Sequence, residues 1–182
     1  MHLAEDLCLV LTPGQTLEFP ARHGTQLALG AAVLIERAID GDRSVTPDRV
    51  GDLIVEAVRG LYVRVLDNLT EQGALRKSRS LLARVQTNLW FRWELYDHER
   101  RNALIALLTR VLRGHVEVDA STGPLLALLY ELNDLELLHE VGQEDWARAE
   151  EFTKARWAPE GAVEDIDEVV AACLEEIWRP RE

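Results

Sequence analysis

The run Ala74-Leu75-Arg76-Lys77-Ser78-Arg79-Ser80-Leu81-Leu82-Ala83-Arg84-Val85-Gln86-Thr87-Asn88-Leu89-Trp90-Phe91-Arg92-Trp93-Glu94-Leu95 departs from the pattern on both sides of it. Its apolar residues keep no helical spacing, and its second half is rich in strand formers: Val85, Thr87, Trp90, Phe91 and Trp93. β-branched and aromatic side chains suit a pleated, half-buried surface. A β-hairpin with a long tip is therefore predicted over residues 74–95. Both flanks have helical periodicity, so this run decides the fold class: mainly α, a compact multi-helix bundle with one projecting β-hairpin.

Upstream, residues 52–72 read as one long helix with Leu53, Ile54, Ala57, Leu61, Val65 and Leu69 on its core side, ended by Gly73. Residues 43–50 read as a short turn with room for a small strand. Residues 26–40 form a helix buried on more than one face, capped by Thr25 and stopped at Gly41. Leu3, Leu7, Val10 and Leu11 mark a first helix that Pro13-Gly14 terminates, and residues 15–24, with Pro20, Arg22 and His23, are irregular. Downstream, helices are expected over residues 98–114, from Ser121 or Gly123 to about Leu138, over 144–156, and over 162–178. Pro124 suits the first turn of the second of these. No internal repeat or low-complexity linker divides the chain, so residues 1–182 are read as a single domain.

A chain of 182 residues, 47% apolar and 29% charged, is globular in composition and long enough for a core without staples. Its net charge of −12 excludes a general nucleic-acid binder, which needs a basic surface to release counterions. Cys8 and Cys173 are too few and too far apart for a disulfide framework or zinc site. The acidic start, Glu5-Asp6, is unlike a signal peptide, and no apolar run approaches the roughly 20 residues of a membrane span. The expectation is a cytoplasmic protein. Arginine outnumbers lysine 18 to 2, a bias that fits a GC-rich bacterial genome.

The charge is unevenly spread. Residues 59–113 hold eleven basic and five acidic residues, a net of +6, whereas residues 131–178 hold fifteen acidic and three basic, a net of −12. Within residues 76–93, Arg76, Lys77, Arg79, Arg84 and Arg92 stand without an acid among Leu81, Leu82, Leu89, Trp90, Phe91 and Trp93. Tryptophan favours membrane–water interfaces, and cations favour an anionic leaflet. The same residues also suit a plain strand whose aromatics pack on the helices while its arginines stay solvated and deter edge pairing. Both hold if the two faces of the hairpin differ.

A search for chemistry returns little. No nucleophile elbow, Walker loop, zinc-protease helix or dinucleotide fingerprint is present. His2, His23, His98, His115 and His139 lack ligand spacing, and Glu131, Asp134, Asp165 and Glu168 fall on solvent faces of their helices. The reading is a non-enzyme with no catalytic residue, no metal and no cofactor.

Several segments, in order, resemble the Golgi phosphoprotein 3 family, including its bacterial relatives. Leu3-Ala4-Glu5-Asp6-Leu7-Cys8-Leu9-Val10-Leu11 resembles its leading helix. The run from Leu29 to Gly41 is similar to its second helix, and that from Val65 to Leu75 to its entry into the hairpin. Trp93-Glu94-Leu95-Tyr96-Asp97 and Gly123-Pro124-Leu125-Leu126-Ala127-Leu128-Leu129-Tyr130 match the hairpin exit and a later core helix. The resemblance implies a helical domain with a projecting hairpin. From the eukaryotic members it implies a peripheral membrane adaptor that binds phosphatidylinositol 4-phosphate and retains glycosyltransferases through their cytoplasmic tails.

Two departures qualify that implication. The stretch before Asp52 is shorter than in relatives, which carry an extra helix there. The headgroup positions are also mostly changed: the aromatic clamp falls near Ala21, the second-helix arginine at Gly30, and the paired arginines at Arg59 and Tyr62, with Arg64 matching another basic position. A phosphate site gathers several convergent donors. Headgroup selectivity is therefore not expected, whereas looser attraction to anionic phospholipid is. The expected sites are Arg59, Arg64 and Arg22 for lipid phosphate, with His23 beside them. Arg76, Lys77, Arg79, Arg84, Trp90 and Phe91 are expected at a membrane or an oligomer contact. Two functions stay open: a non-enzymatic adaptor or scaffold, peripheral at the inner membrane face, and a soluble module that forms a homo-oligomer through its hairpin. A surface ion pair with Glu56 is the plain alternative for Arg59.

Overall fold

A computed structural model describes residues 3–12, 16–17, 23–79 and 91–178. Arg22, Arg84 and Trp90 lie outside the described residues, and Arg79 and Phe91 enter through their backbone only. The core is built around α2 (His23–Ile39), whose Leu27, Ala28, Leu29, Ala31, Ala32, Leu34, Ile35 and Ala38 are all buried. Apolar residues around most of a helix require neighbours around most of it. Here α1 (Leu3–Val10), α3 (Val50–Val58), α4 (Leu61–Glu71), α6 (Thr122–Glu131) and α8 (Ile166–Trp178) supply them. The remaining helices, α5 (His98–Leu112) and α7 (Gln143–Phe152), pack on α6.

The hairpin forms where expected. Strands β2 (Leu75–Arg79) and β3 (Phe91–Leu95) pair antiparallel, with Leu75 opposite Leu95, Arg76 opposite Glu94, Lys77 opposite Trp93 and Arg79 opposite Phe91. The sheet has a third member, β1 (Thr16–Leu17), which pairs antiparallel with β3 on its other edge. Residues 15–24 were expected to be irregular throughout. A two-residue strand has no alternation to read, and its pairing depends on a partner 78 positions away, Glu94 opposite Thr16.

Other differences are local. The single helix expected over residues 52–72 is two, α3 and α4, separated by Arg59 and Gly60. Gly60 has φ of 69°, a left-handed conformation that ends one helix and turns the chain into the next. Residues 43–50 hold no strand; Pro47–Arg49 make one 3₁₀ turn that leads into α3. The helix expected to reach Leu138 stops at Glu131, and Asn133, at φ of 57°, turns the chain into a second 3₁₀ turn at Leu135–Leu137. α7 ends at Phe152 and α8 begins at Ile166, both shorter than their apolar patterns.

Candidate anion-facing site

The break between α3 and α4 creates the first part of the site. Arg59 ends α3 with its side chain exposed, and Arg64, one turn into α4, is exposed beside it. The Arg64 guanidinium donates through Nη1 to the Arg59 carbonyl at 3.0 Å, which fixes it across the corner. Among the described residues neither arginine forms an ion pair, so the pairing with Glu56 considered for Arg59 does not occur there. His23 is exposed at the start of α2.

Two positions at which the resemblance implies a cation are closed. Gly30 is buried, and a Cβ there would sit 2.9 Å from Val58 Cγ2 and 3.3 Å from Ile54 Cγ2. A glycine is what allows α2 and α3 to approach this closely, so the position has no room for an arginine. Tyr62 is buried at 6% exposure, and burial pushes its hydroxyl up to about 12. The corner therefore presents two cations and not a closed ring of donors.

The second part is the base of the hairpin. Arg76 is exposed and has no acidic partner among the described residues. Lys77 is compensated, contrary to the sequence reading of five uncompensated cations: its Nζ lies 3.3 Å from Asp67 Oδ1 on α4 and 5.2 Å from the centre of the Trp93 ring. The strand register also corrects the idea of one aromatic face and one cationic face. Lys77 stands opposite Trp93 and Arg79 opposite Phe91, so cations and aromatics share register positions. Trp93 is buried and Leu75 and Leu95 are buried alongside it, so this face turns towards the bundle at its base.

The Lys77–Asp67 contact orients one part against the other. Ala74 donates to the Leu69 carbonyl at 2.8 Å, and three residues on, Lys77 has moved back along α4 to Asp67. β2 thus runs antiparallel to α4, and one further turn of that helix, about 5 Å, reaches Arg64. Two further residues of strand, about 7 Å, reach Arg79. The basic strand and the basic corner lead in one direction.

A polar cluster around one buried carboxylate at the hairpin base was not legible in the sequence. Glu5, only 3% exposed on α1, accepts from Asn68 Nδ2 at 3.2 Å and Gln72 Nε2 at 2.8 Å. Arg100 donates to Gln72 Oε1 at 2.8 Å and to Asp6 at 3.4 Å, and Arg101 donates to the Leu9 and Val10 carbonyls at the end of α1. Burial raises the Asp6 carboxyl above its ordinary range, against the pull of Arg100. These bonds hold α1 to the residues just before β2 and just after β3. The one signal for them is Asp97, whose carboxylate caps α5 by accepting from the Arg100 backbone at 2.8 Å.

Cys8 and Cys173 are buried, and burial pushes both thiols up to about 12, away from the reactive thiolate. Among the described residues no cluster of His, Cys, Asp and Glu is placed to hold a metal ion, and no helix is long and apolar enough to cross a membrane.

No curated protein matches the sequence. The family model for Golgi phosphoprotein 3 (GPP34) matches residues 42–169, which include α3 to α7, the β2–β3 hairpin and the first turn of α8. With more than half of its length so matched, and with the helical bundle and hairpin in place, the chain belongs to the Golgi phosphoprotein 3 (GPP34) family.

Proposed function

We propose that the protein is a non-enzymatic adaptor that touches anionic lipid surfaces reversibly, with Arg59, Arg64 and Arg76 as its described phosphate contacts. Arg22, Arg79, Arg84, Trp90 and Phe91 extend that surface in the sequence. The observation that supports this reading is the antiparallel run of β2 along α4, which directs the basic strand and the Arg59–Arg64 corner the same way. A membrane feels mainly the charges within a Debye length, about 8 Å at physiological salt, so the overall −12 matters less than the nearest cations. At about 1 kcal/mol for each cation near an anionic leaflet, three to five of them give weak, salt-sensitive attachment. Family membership is compatible with the adaptor role, and the bacterial, cytoplasmic setting belongs to the same proposal.

Headgroup selectivity is not part of the reading, because Gly30 and Tyr62 remove two of the convergent donors. The test is co-sedimentation with vesicles, neutral or anionic, at low and high salt. Wild type should bind only the anionic ones and lose binding as salt rises. The Arg59→Ala variant should bind more weakly and leave any rank order among phosphoinositides unchanged. Failure of wild type to bind anionic vesicles at low salt ends the lipid reading, and isomer-selective micromolar binding overturns the lack of selectivity.

A further inference from the structure

A shallow groove of about 510 Å³ lies where three helices end, α6 at Glu131, α7 at Phe152 and α8 at Trp178. It is lined by Glu131, Thr153, Ala171, Leu174, Glu175 and Trp178, none of them a cation. A helix C-terminus carries partial negative charge, which a basic side chain in the last turn commonly offsets. None of these three helices has one there. On α8, Ala171, Leu174, Glu175 and Trp178 keep helical spacing and so share one face. Leu174 is buried and gives the groove an apolar floor. Trp178 stands at the rim, 62% exposed, although a tryptophan usually buries most of its large surface.

The indole Nε1 donates to Glu131 Oε2 at 3.1 Å, which holds the ring in place. Trp178 therefore stands between two carboxylates, Glu131 through that bond and Glu175 one turn back on α8. Glu131 is half-buried, and among the described residues neither carboxylate forms an ion pair. Burial raises the Glu131 carboxyl above its ordinary range, only partly offset by the indole bond. Helix ends, carboxylates and ring all favour a cation. A guanidinium answers them best, because it stacks flat on an indole and donates in a fork to a carboxylate, whereas an ammonium is a point charge. The groove has the volume of a small-molecule site, with room for an alkyl chain over Leu174 and Ala171. A carboxylate on the ligand would meet Glu131 and Glu175 as like charges. We propose that the groove where α6, α7 and α8 end binds a small alkylguanidinium cation without a carboxylate, its guanidinium stacked on Trp178 and paired with Glu131, its alkyl chain over Leu174. α8 packs on α2, α3 and α6, whereas β2 lies against α4, so this site is separate from the basic strand and independent of the lipid reading.

Isothermal titration calorimetry of the full chain with agmatine tests it, at about 0.05 M and about 0.5 M salt, where screening differs severalfold. Wild type should bind saturably at one site, and more weakly at high salt. Arginine, which differs from agmatine by a carboxylate, and 1,4-diaminobutane, which replaces the guanidinium by an ammonium, should each bind about tenfold more weakly or worse. Two variants, Glu131→Gln with Glu175→Gln and, separately, Trp178→Ala, should each weaken agmatine about tenfold or more. A carboxamide at position 131 can still accept from the indole, so the first variant removes charge with little change of shape. Circular dichroism confirms that each variant is folded. A capped tripeptide, acetyl-Gly-Arg-Gly-amide, should bind no more tightly than agmatine; tighter binding moves the guanidinium's source to a protein side chain and overturns the small-ligand assignment. No binding by wild type at low salt also overturns the proposal. So does wild-type affinity in both variants, and so does an affinity for arginine or 1,4-diaminobutane equal to that for agmatine.

Discussion

Gly123 opens α6 where the indole of Trp157 lies across it, in the space that a Cβ would occupy. The ring has little room to retreat, because its Nε1 donates to the Phe152 carbonyl at 2.8 Å. Gly123→Ala should therefore cost about 1–3 kcal/mol, the usual range for overpacking, seen as a lower urea midpoint at unchanged slope. Three residues before the start of that helix, one oxygen of Asp119 accepts from the backbone and hydroxyl of both Ser121 and Thr122, at 2.6 to 2.9 Å. Burial opposes ionisation of Asp119, but these donors outweigh it and hold the carboxyl below its ordinary range. The folded value being the lower one, the contribution is complete above the ordinary aspartate value near pH 4 and fades as pH falls through the folded one. The Asp119→Asn variant should melt below wild type by a constant margin above about pH 5, and the margin should narrow in acid. A margin that widens in acid would contradict this account.

At the scale of elements, the corner between α3 and α4 shows what the sequence could and could not reveal. Leu53, Ile54, Ala57, Leu61, Val65 and Leu69 keep helical spacing straight through Gly60, and a lone glycine is tolerated within a helix. Only the close approach of Ile54 and Val58 to Gly30 on α2, outside the segment, shows why α3 is held at its own angle. Gly60→Ala should cost about 1–2 kcal/mol, since φ of 69° is strained for any residue with a Cβ, and thermal melting measures it. The hairpin, in contrast, was legible because its signal is local: loss of helical period, then strand formers. Arg59, Arg64 and Arg76 were legible as exposed cations, whereas the pairing of Lys77 was not, because it depends on how β2 lies against α4. Likewise Glu5 meets Asn68 and Gln72 across 63 and 67 positions, and no periodicity anticipates a carboxylate inside an apolar helix. Replacing Glu5 by Ala removes two hydrogen bonds, at about 0.5–1.5 kcal/mol each, with hydrogen exchange rising first in α1.

For the whole molecule, the uneven charge matters more than its total. Packing and hydrogen bonds inside a continuous core hold the bundle together, and the ion pairs described, such as Arg37–Asp42 at 2.7 Å, are largely exposed. Exposed pairs contribute little. Raising salt should therefore shift the melting temperature by only a degree or two while reducing attachment to anionic vesicles steeply; parallel losses in both would mean that the cations support the fold and not a surface. The long-range strand pairing has a further consequence, which concerns time. During synthesis β1 emerges first, but β3 follows 78 residues later, at Glu94. At about 5–20 residues per second, that is a wait of roughly 4 to 16 seconds. Throughout that interval α1, buried along nearly its whole length in the finished fold, lacks α5 and α6 to cover it, and for more than half of it lacks α4 as well. The nascent chain thus shows an apolar helix to the cell well before it can fully hide it, and slowing or stalling translation between residues 17 and 93 would lengthen that exposure.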